Sequence, residues 1–169
     1  MITSISLDAK AVQSVVDALP RTIFRAQRSA VSTTTTWAGK QLRDRMFLKT
    51  GLPMRVFRKF RVKVKRNRET GVVWFGLNPV KASYVGKLSQ EPRGAWAGDY
   101  YFPGGFVATL KSGHEGIFKR KGKSRYPLAE QVVNIDAGFT VAEGVAQEAS
   151  VQLRERFMAK VLELNPHLE

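Results

Sequence analysis

The chain contains 169 residues, of which 43% are hydrophobic and 10% aromatic, and its 28 Lys and Arg outnumber 14 Asp and Glu to give a net charge of +14. A domain of this length buries about 70% of the surface that its unfolded chain exposes, so this composition excludes wholesale disorder. Because cysteine is absent, the sequence excludes disulfides, thiolate metal sites and a cysteine nucleophile. The two histidines leave little for a histidine-based metal site.

The first fifty residues predict two helices. Their start lacks the basic and apolar regions of a signal peptide, so we expect a protein made in a cytoplasm and not exported by a standard signal. Asp8 caps a first predicted helix that ends near Leu19. From Arg21, small and apolar residues recur every three to five positions until Thr50 and Gly51, which predicts a second helix about 40 Å long. Such a helix is longer than a compact domain of this size needs, and we expect part of it to project or to pack on a neighbouring subunit.

A basic β-hairpin is predicted next. Between Phe60 and Lys65, apolar and cationic residues alternate, which is the pattern of a strand with one buried face and one cationic face. Residues 72–77 form the returning strand, after a turn at residues 67–70. The net charge of residues 51–70 is +7. The cationic residues of this region, which we call the first basic cluster, are Arg55, Arg58, Lys59, Arg61, Lys63, Lys65, Arg66 and Arg68.

Three interpretations of the first basic cluster stay open. Its side chains can neutralise nucleic-acid phosphates, through contacts that are directed to the backbone and carry no sequence information. They can form a seam with an acidic protein surface, such as the C-terminal helix of another copy. They can also form a face that is merely solvated.

Glycine and proline concentrate between Asn78 and Gly122, and loops are expected there. Two strands are predicted at residues 105–110 and 116–121, and a last short strand at residues 131–135. Aromatic residues flank the basic run that follows without alternating through it, which favours a basic hairpin tip with a Tyr-Pro anchor over a platform for stacking single-stranded bases. This run, which we call the second basic cluster, is Lys119, Arg120, Lys121, Lys123 and Arg125.

No catalytic, cofactor-binding or metal-binding residue is predicted. His114 and Glu115 are adjacent, so their side chains point apart in a strand or turn, and no spacing typical of a metal site or a carboxylate pair accompanies them. The glycine-rich stretches match neither a phosphate loop nor a dinucleotide fingerprint. An aromatic loop from Trp96 to Phe102 is either a contact surface for a partner or a satellite core.

The C-terminal quarter is acidic, and its pattern is helical. Apolar residues recur every four positions from Val141 to Val161, and the net charge of residues 128–169 is −4. The sequence therefore predicts an α+β fold, with long N-terminal helices, a small antiparallel β-sheet and a long C-terminal helix packed on the sheet. We expect a single domain over residues 1–169, with three segments: an N-terminal helical arm (1–50), a β-rich core with loops (54–137) and the C-terminal helix (138–164).

The order of these segments and two short fragments carry a family resemblance. A long helix rich in small residues, a hairpin laden with Lys and Arg, a glycine-rich middle and a long C-terminal helix follow one another from about Val16 to Leu164. The sharpest fragments are Thr-Gly-Leu-Pro-Met-Arg-Val-Phe-Arg-Lys at residues 50–59 and Gly-Lys-Ser-Arg-Tyr-Pro-Leu at residues 122–128. Together they resemble the prophage minor tail protein Z family, which belongs to the tail-completion proteins of long-tailed bacteriophages.

The resemblance implies a structural virion protein of a bacteriophage, without enzymatic activity or a cofactor. It implies assembly from the host cytoplasm late in tail completion, at the head-proximal end of the tail where the head-tail connector lies. It also implies a ring-shaped homo-oligomer, expected to be a hexamer, around the DNA channel. The implied partners are the tail terminator, tail tube, tape measure and head connector proteins, and phage DNA through nonspecific phosphate contacts, with no membrane.

The alternative function is that of a stand-alone, sequence-nonspecific nucleic-acid-binding protein of ribosomal or nucleoid type. A nuclease is disfavoured, because no constellation of carboxylates or histidines supports a metal ion or a general base. Under either hypothesis, the residues of the two basic clusters are the candidates for contact with nucleic acid or with a protein partner.

Overall fold

The structure, a computed structural model, describes residues 2–7, 21–135 and 138–164, and for the first of these ranges it describes the backbone. The fold is mixed helix and sheet, with a long N-terminal helix, small antiparallel sheets and a long C-terminal helix, as the sequence predicts. The first helix predicted from Asp8 to Leu19 lies outside the described residues.

The chain forms two compact units. The first, which we call the discontinuous unit, joins Met1–Leu77 with Ala137–Glu169, and the second, which we call the inserted unit, is Asn78–Asp136. Strands from the predicted β-rich segment, residues 54–137, occur in both units.

The described elements of the discontinuous unit are, in chain order, strand β1 (Ile2–Leu7), helix α1 (Arg21–Thr50), helix α2 (Met54–Val56), a π-helical turn (Phe57–Arg61), strands β2 (Val62–Arg66) and β3 (Gly71–Gly76), and, after the inserted unit, helix α4 (Gly138–Leu164). Those of the inserted unit are β4 (Val80–Lys81), helix α3 (Ala82–Val85), β5 (Leu88–Glu91), β6 (Gly94–Ala97), β7 (Tyr100–Pro103), β8 (Phe106–Thr109), β9 (Glu115–Arg120), β10 (Leu128–Glu130) and β11 (Val132–Val133).

Helix α1 has the bounds that the sequence predicts. Its 30 residues extend over about 45 Å at a rise of about 1.5 Å per residue. It stops at Gly51, whose φ of 67° is the left-handed conformation that ends many helices, and the Gly51 N–H donates to the Phe47 carbonyl at 2.9 Å. The threonine run does not interrupt the helix, and the buried Thr35 hydroxyl is satisfied because it donates to the Val31 carbonyl at 2.6 Å.

The sheet of the discontinuous unit has the strand order β1-β3-β2, with both pairs antiparallel, and helix α1 packs on one of its faces. A Cβ added to Gly39 would collide with Cγ2 of Val64, and one added to Gly71 would collide with Thr35. These glycines therefore let helix and sheet approach more closely than larger residues permit. The sequence pattern predicts the β2–β3 hairpin but not strand β1.

The predicted hairpin is confirmed, although strand β2 starts at Val62 and not at Phe60. The residues Phe57–Arg61 form a π-helical turn, so the alternating pattern extends beyond the strand itself. The hairpin turn is fixed by Asn67, whose Oδ1 accepts two backbone N–H groups of the turn at 2.6 and 2.9 Å.

Helix α4 packs along α1 in antiparallel orientation. Arg45 forms an ion pair with Glu148 at 2.6 Å, and the guanidinium of Arg156 lies 5.8 Å from the centre of the Trp37 ring. Residue numbers thus rise along one helix as they fall along the other. The two long helices form a pair, of which α1 also packs on the sheet.

The apolar stripe of α4 is buried in its first half. The buried residues of the helix are Gly138, Ala142, Val145 and Ala149. The helix reaches the sheet near its start, where a Cβ on Gly138 would lie 2.7 Å from the Phe75 ring. From Ser150 to Leu164 every residue of α4 is exposed or half-buried.

The inserted unit is built from short antiparallel strands in three groups, β5-β6-β7, β10-β9-β8 and the pair β4-β11. The two strands predicted at residues 105–110 and 116–121 are confirmed as β8 and β9. The last predicted strand is found as the two-residue β11, preceded by β10. Small and branched side chains, including Val80, Val85 and Ile117, fill the core of this unit.

The prediction of an aromatic loop is wrong, because these residues form the β6–β7 hairpin. The chain turns at Gly98, whose φ is 58°. Alternation along the strand buries Ala95 and Ala97 and leaves Trp96 on the more exposed face, where its ring centre lies 4.9 Å from that of Tyr101.

Candidate functional site

The structure divides the first basic cluster between the two faces of the β1-β3-β2 sheet. On the α1 side, Val64 lies against Gly39, and the same face of strand β2 carries Arg66. The Arg66 Nη1 donates to the Thr36 hydroxyl of α1 at 2.5 Å. Arg66 is thereby held at the edge of α1.

The opposite side of strand β2, which we call the outer face, carries Lys63 and Lys65. The Lys63 ammonium lies 5.6 Å from the centre of the ring of Trp74, its partner across the strands. This distance is typical of a cation–π contact. Lys65 is exposed and pairs across the strands with Val72.

On the α1 side, a groove of about 560 Å³ lies between α1 and the segment that contains the π-helical turn and strand β2. Its α1 wall extends from Ser32 to Asp44 and includes Trp37. We call it the α1 groove. Four described cationic side chains line it, against the single carboxylate of Asp44: Lys40, Arg43, Arg58 and Arg66.

Two residues of the α1 groove, Lys40 and Arg43, are missing from the predicted clusters. They follow Thr36 and Trp37 on one face of α1 at the three- and four-residue spacing of a helix. That spacing is visible in the sequence. However, the sequence does not show that this face of α1 borders Arg58 and Arg66, which lie at least fourteen residues further along the chain.

The other residues of the first basic cluster differ in exposure. Arg61 is half-buried in the π-helical turn, and burial lowers the pKa of its guanidinium. The exposed members are Arg55, Lys59 and Arg68. The interpretation of Arg61, Lys63 and Lys65 as one strand face therefore applies to the two lysines, since Arg61 precedes the strand.

The second basic cluster lies at the end of the β9–β10 hairpin, where the Lys121 N–H donates to the Pro127 carbonyl at 3.2 Å. Arg120 lies 5.9 Å from the centre of the Phe106 ring, and Arg125 lies 5.8 Å from that of Tyr126. The four side chains border a shallow groove of about 330 Å³. Tyr126 is 66% exposed, so it does not serve as a buried anchor.

His114 does not pair with Glu115. Its Nε2 lies 2.6 Å from Oε1 of Glu130, whose other oxygen accepts from the Lys81 ammonium at 2.7 Å. Burial raises the pKa of Glu130, and the hydrogen bonds from Lys81 and His114 outweigh it, so the pKa lies below its ordinary value. Within the described residues, no group of three His, Cys, Asp or Glu side chains is placed to hold a metal ion.

A family model matches nearly the whole chain. It is described as prophage minor tail protein Z (GPZ), and it matches residues 5–165. The chain belongs to this family. No curated protein and no solved structure matches the chain.

Membership of the minor tail protein Z family makes this protein a component of a phage tail, and it indicates a structural role in place of an enzymatic one. The resemblance seen in the sequence is thereby confirmed. In the part of the chain that the structure describes, no helix combines the length and apolar character needed to cross a membrane.

Helix α4 offers little acidic surface. It carries four Glu against three Lys and Arg. Glu148 pairs with Arg45, and Glu163 pairs with Lys160 of the same helix. Helix α4 thus accounts for −1 of the net charge of −4 of residues 128–169, which argues against an electrostatic seam between this helix and a basic cluster.

Proposed function

We propose that this member of the minor tail protein Z family acts in tail completion and head-tail joining, as a non-enzymatic structural component beside the channel through which phage DNA passes. The observation that carries the proposal is the α1 groove, a concave cationic surface on a tail protein. The polyanion that passes through a phage tail is its DNA.

The charges of the α1 groove support a DNA contact that is independent of sequence. Among the described residues, Lys40, Arg43 and Arg58 form no ion pair with a carboxylate. Uncompensated cations gain free energy when they replace the counterions around nucleic-acid phosphates. A tail component that contacts whichever DNA end arrives needs this kind of contact, since phosphate contacts are the same for every sequence.

A ring-shaped homo-oligomer, expected to be a hexamer, is the second part of the proposal. Its support is the second half of α4, where Val151 is 56% exposed, Met158 53% and Leu162 42%. Their spacing of seven and four residues places them on one face of the helix. A contact between this face and a different surface of the next copy is heterologous, and such contacts close into rings when the rotation permits.

The remaining partners follow from the proposed position at the head-proximal end of the tail. They are the tail terminator, tail tube, tape measure and head connector proteins. The protein reaches them from the host cytoplasm during assembly.

Deletion of the gene from an inducible prophage tests the proposed function. We expect heads filled with DNA and tails of normal length, but a loss of infectivity that returns when the protein is supplied in trans. Negative-stain microscopy of purified tails with a labelled subunit should place the label at the head-proximal end. Normal infectivity without the protein, or a label elsewhere on the tail, contradicts the proposal.

A further inference from the structure

We propose that the α1 groove is the surface that binds DNA, that its ligand is the sugar-phosphate backbone of one strand of a duplex, and that the outer face takes no part. This inference rests on the proposed contact with DNA. It goes further by choosing between two cationic surfaces that the sequence places in a single cluster.

Positive charge is concentrated in the α1 groove. Lys40, Arg43, Arg58 and Arg66 surround one concave space, and with Asp44 they give it a net charge of +3. A cleft lined by charges of one sign, with low-dielectric walls, focuses the field and raises the local concentration of counterions. The outer face instead has two lysines, one of which lies over the Trp74 ring.

One cation of the α1 groove, Arg66, is preorganised for a ligand. The Thr36 hydroxyl donates to the Ser32 carbonyl at 2.9 Å and accepts from Arg66 Nη1 at 2.5 Å. The Arg66 guanidinium is therefore held in place before a ligand arrives, and one of its five N–H groups is used in doing so. The remaining N–H groups suit the bidentate geometry of a phosphate.

The length of the α1 groove suits a short run of phosphates on one strand. The α1 wall of the groove extends over the twelve-residue interval from Ser32 to Asp44, which is about 18 Å along the helix axis. Phosphates on one strand of B-DNA rise by about 3.4 Å each along the duplex axis, and they lie further apart than this rise because the strand winds around that axis. The α1 groove is therefore long enough for a short run of consecutive phosphates, fewer than about five.

The state of Trp37 favours a duplex over a single strand. Single-stranded nucleic acid is bound by stacking its bases on exposed aromatic rings. Trp37 is half-buried, and the Arg156 guanidinium already lies 5.8 Å from the ring centre. The indole is thus a wall of the groove and not a free stacking platform.

The test compares two double variants of the full chain that lose the same charge. The groove variant is Lys40→Gln/Arg58→Gln, and the matched outer-face variant is Lys63→Gln/Lys65→Gln; all four side chains are exposed. Fluorescence anisotropy measures the affinity for a labelled duplex of random sequence, between about 50 and about 200 mM salt. A single strand of the same length and poly-glutamate serve as the other probes. Circular dichroism and thermal melting confirm that each variant folds. If the groove variant does not fold, Lys40→Gln alone replaces it.

We expect the groove variant to bind the duplex more weakly and to reduce the slope of log K against log salt by about 1.8, which is two contacts at about 0.9 each, or by about 0.9 for Lys40→Gln alone. The outer-face variant should keep the slope of the wild type. Equal losses in the two variants, unchanged duplex binding by the groove variant, or stronger binding of the single strand by the wild type overturns the inference and leaves a DNA contact in place.

A wild type that fails to bind the duplex at about 50 mM salt overturns the inference together with the DNA contact itself. A groove variant that keeps its affinity for the duplex but loses binding to poly-glutamate also overturns the inference, and it identifies an acidic protein as the ligand of the groove. In both cases the role in tail completion is still decided by the infectivity of the deletion mutant.

Discussion

Gly71 and Thr35 show how single residues set the distance between helix α1 and the sheet. The first residue of strand β3 has no side chain, and the Cβ that any other residue adds there would lie 2.8 Å from Thr35 Cβ and closer still to its hydroxyl oxygen. The Thr35 hydroxyl is itself bonded to the Val31 carbonyl. Neither Thr35 Cβ nor the helix backbone that carries it can move independently of the rest of α1.

We therefore expect Gly71→Ala to destabilise the protein by about 1–3 kcal/mol, the usual cost of overpacking a core. The matched control is Gly144→Ala, where the added Cβ meets no atom closer than Arg45 Nη1 at 4.0 Å. Because Gly144 lies inside helix α4, its replacement should stabilise by up to about 1 kcal/mol. Thermal unfolding measures both changes in stability as shifts of Tm, about 2–4 °C for each kcal/mol. Equal stability of Gly71→Ala and the wild type argues against this close approach.

At the scale of elements, the sequence predicts what long periodic patterns determine. Helix α1, the β2–β3 hairpin and helix α4 follow from apolar spacing repeated over many residues, and the end of α1 follows from Gly51 as a stop signal. Strand β1 is not predicted because Ile2, Ile5 and Leu7 do not alternate. Its place at the sheet edge comes from pairing with residues about seventy positions away.

The sequence predicts only the part of the candidate site that a local pattern determines. Alternation separates Lys63 and Lys65 from the buried Val62 and the half-buried Val64, because it is a local property of the strand. The α1 groove joins Lys40 and Arg43 of a helix to Arg58 and Arg66 beyond it. That juxtaposition is created by tertiary packing, which no local pattern encodes.

The ion cluster of the inserted unit links three elements through one carboxylate. Glu130 of β10 pairs with Lys81 of β4 and with His114 in the loop before β9. The folded pKa of Glu130 lies below the ordinary value of 4.5, because the two hydrogen bonds outweigh the effect of burial. At pH values between the folded pKa and 4.5, Glu130 binds more protons in the unfolded chain than in the folded chain, so folding stability falls as the pH falls.

We predict that the contribution of Glu130 to stability is complete above about pH 4.5 and is lost as the pH falls through the folded pKa. Carbon NMR should give a lower pKa for the Glu130 carboxyl in the wild type than for the same carboxyl in Lys81→Met, in which one of its partners is removed. Urea unfolding at several pH values should show a smaller acid-induced loss of stability in Glu130→Gln than in the wild type. A Glu130 pKa that does not respond to Lys81→Met contradicts this account.

At the scale of the whole molecule, helix α4 has two halves of different character. The first half is buried against α1, and the second half exposes apolar side chains over several turns. Exposed apolar patches on one helix face are typical of surfaces that contact another protein. The ring proposed above assigns this surface to the contact with the next copy.

Met158→Glu should therefore weaken self-association without unfolding the protein, since Met158 is already 53% exposed. Surface substitutions of this kind change folding stability by about 0.5 kcal/mol or less. The matched control is Ala159→Glu, which adds the same charge at the neighbouring exposed position. Incorporation into tails that lack the endogenous protein, measured by immunoblot, should fall for Met158→Glu and not for Ala159→Glu. Equal incorporation of the two variants removes α4 from the proposed interface.

The pairing of β4 with β11 has a consequence for how this protein can change over time. Val80 pairs with Val133 and Lys81 with Val132, so the inserted unit leaves and rejoins the rest of the chain at neighbouring strands. A unit whose two ends meet in this way behaves as an exchangeable module, because its length and sequence can vary while the spacing between its ends stays constant. Changes of length or sequence within this module should therefore leave intact the helix pair and the sheet that carry the α1 groove.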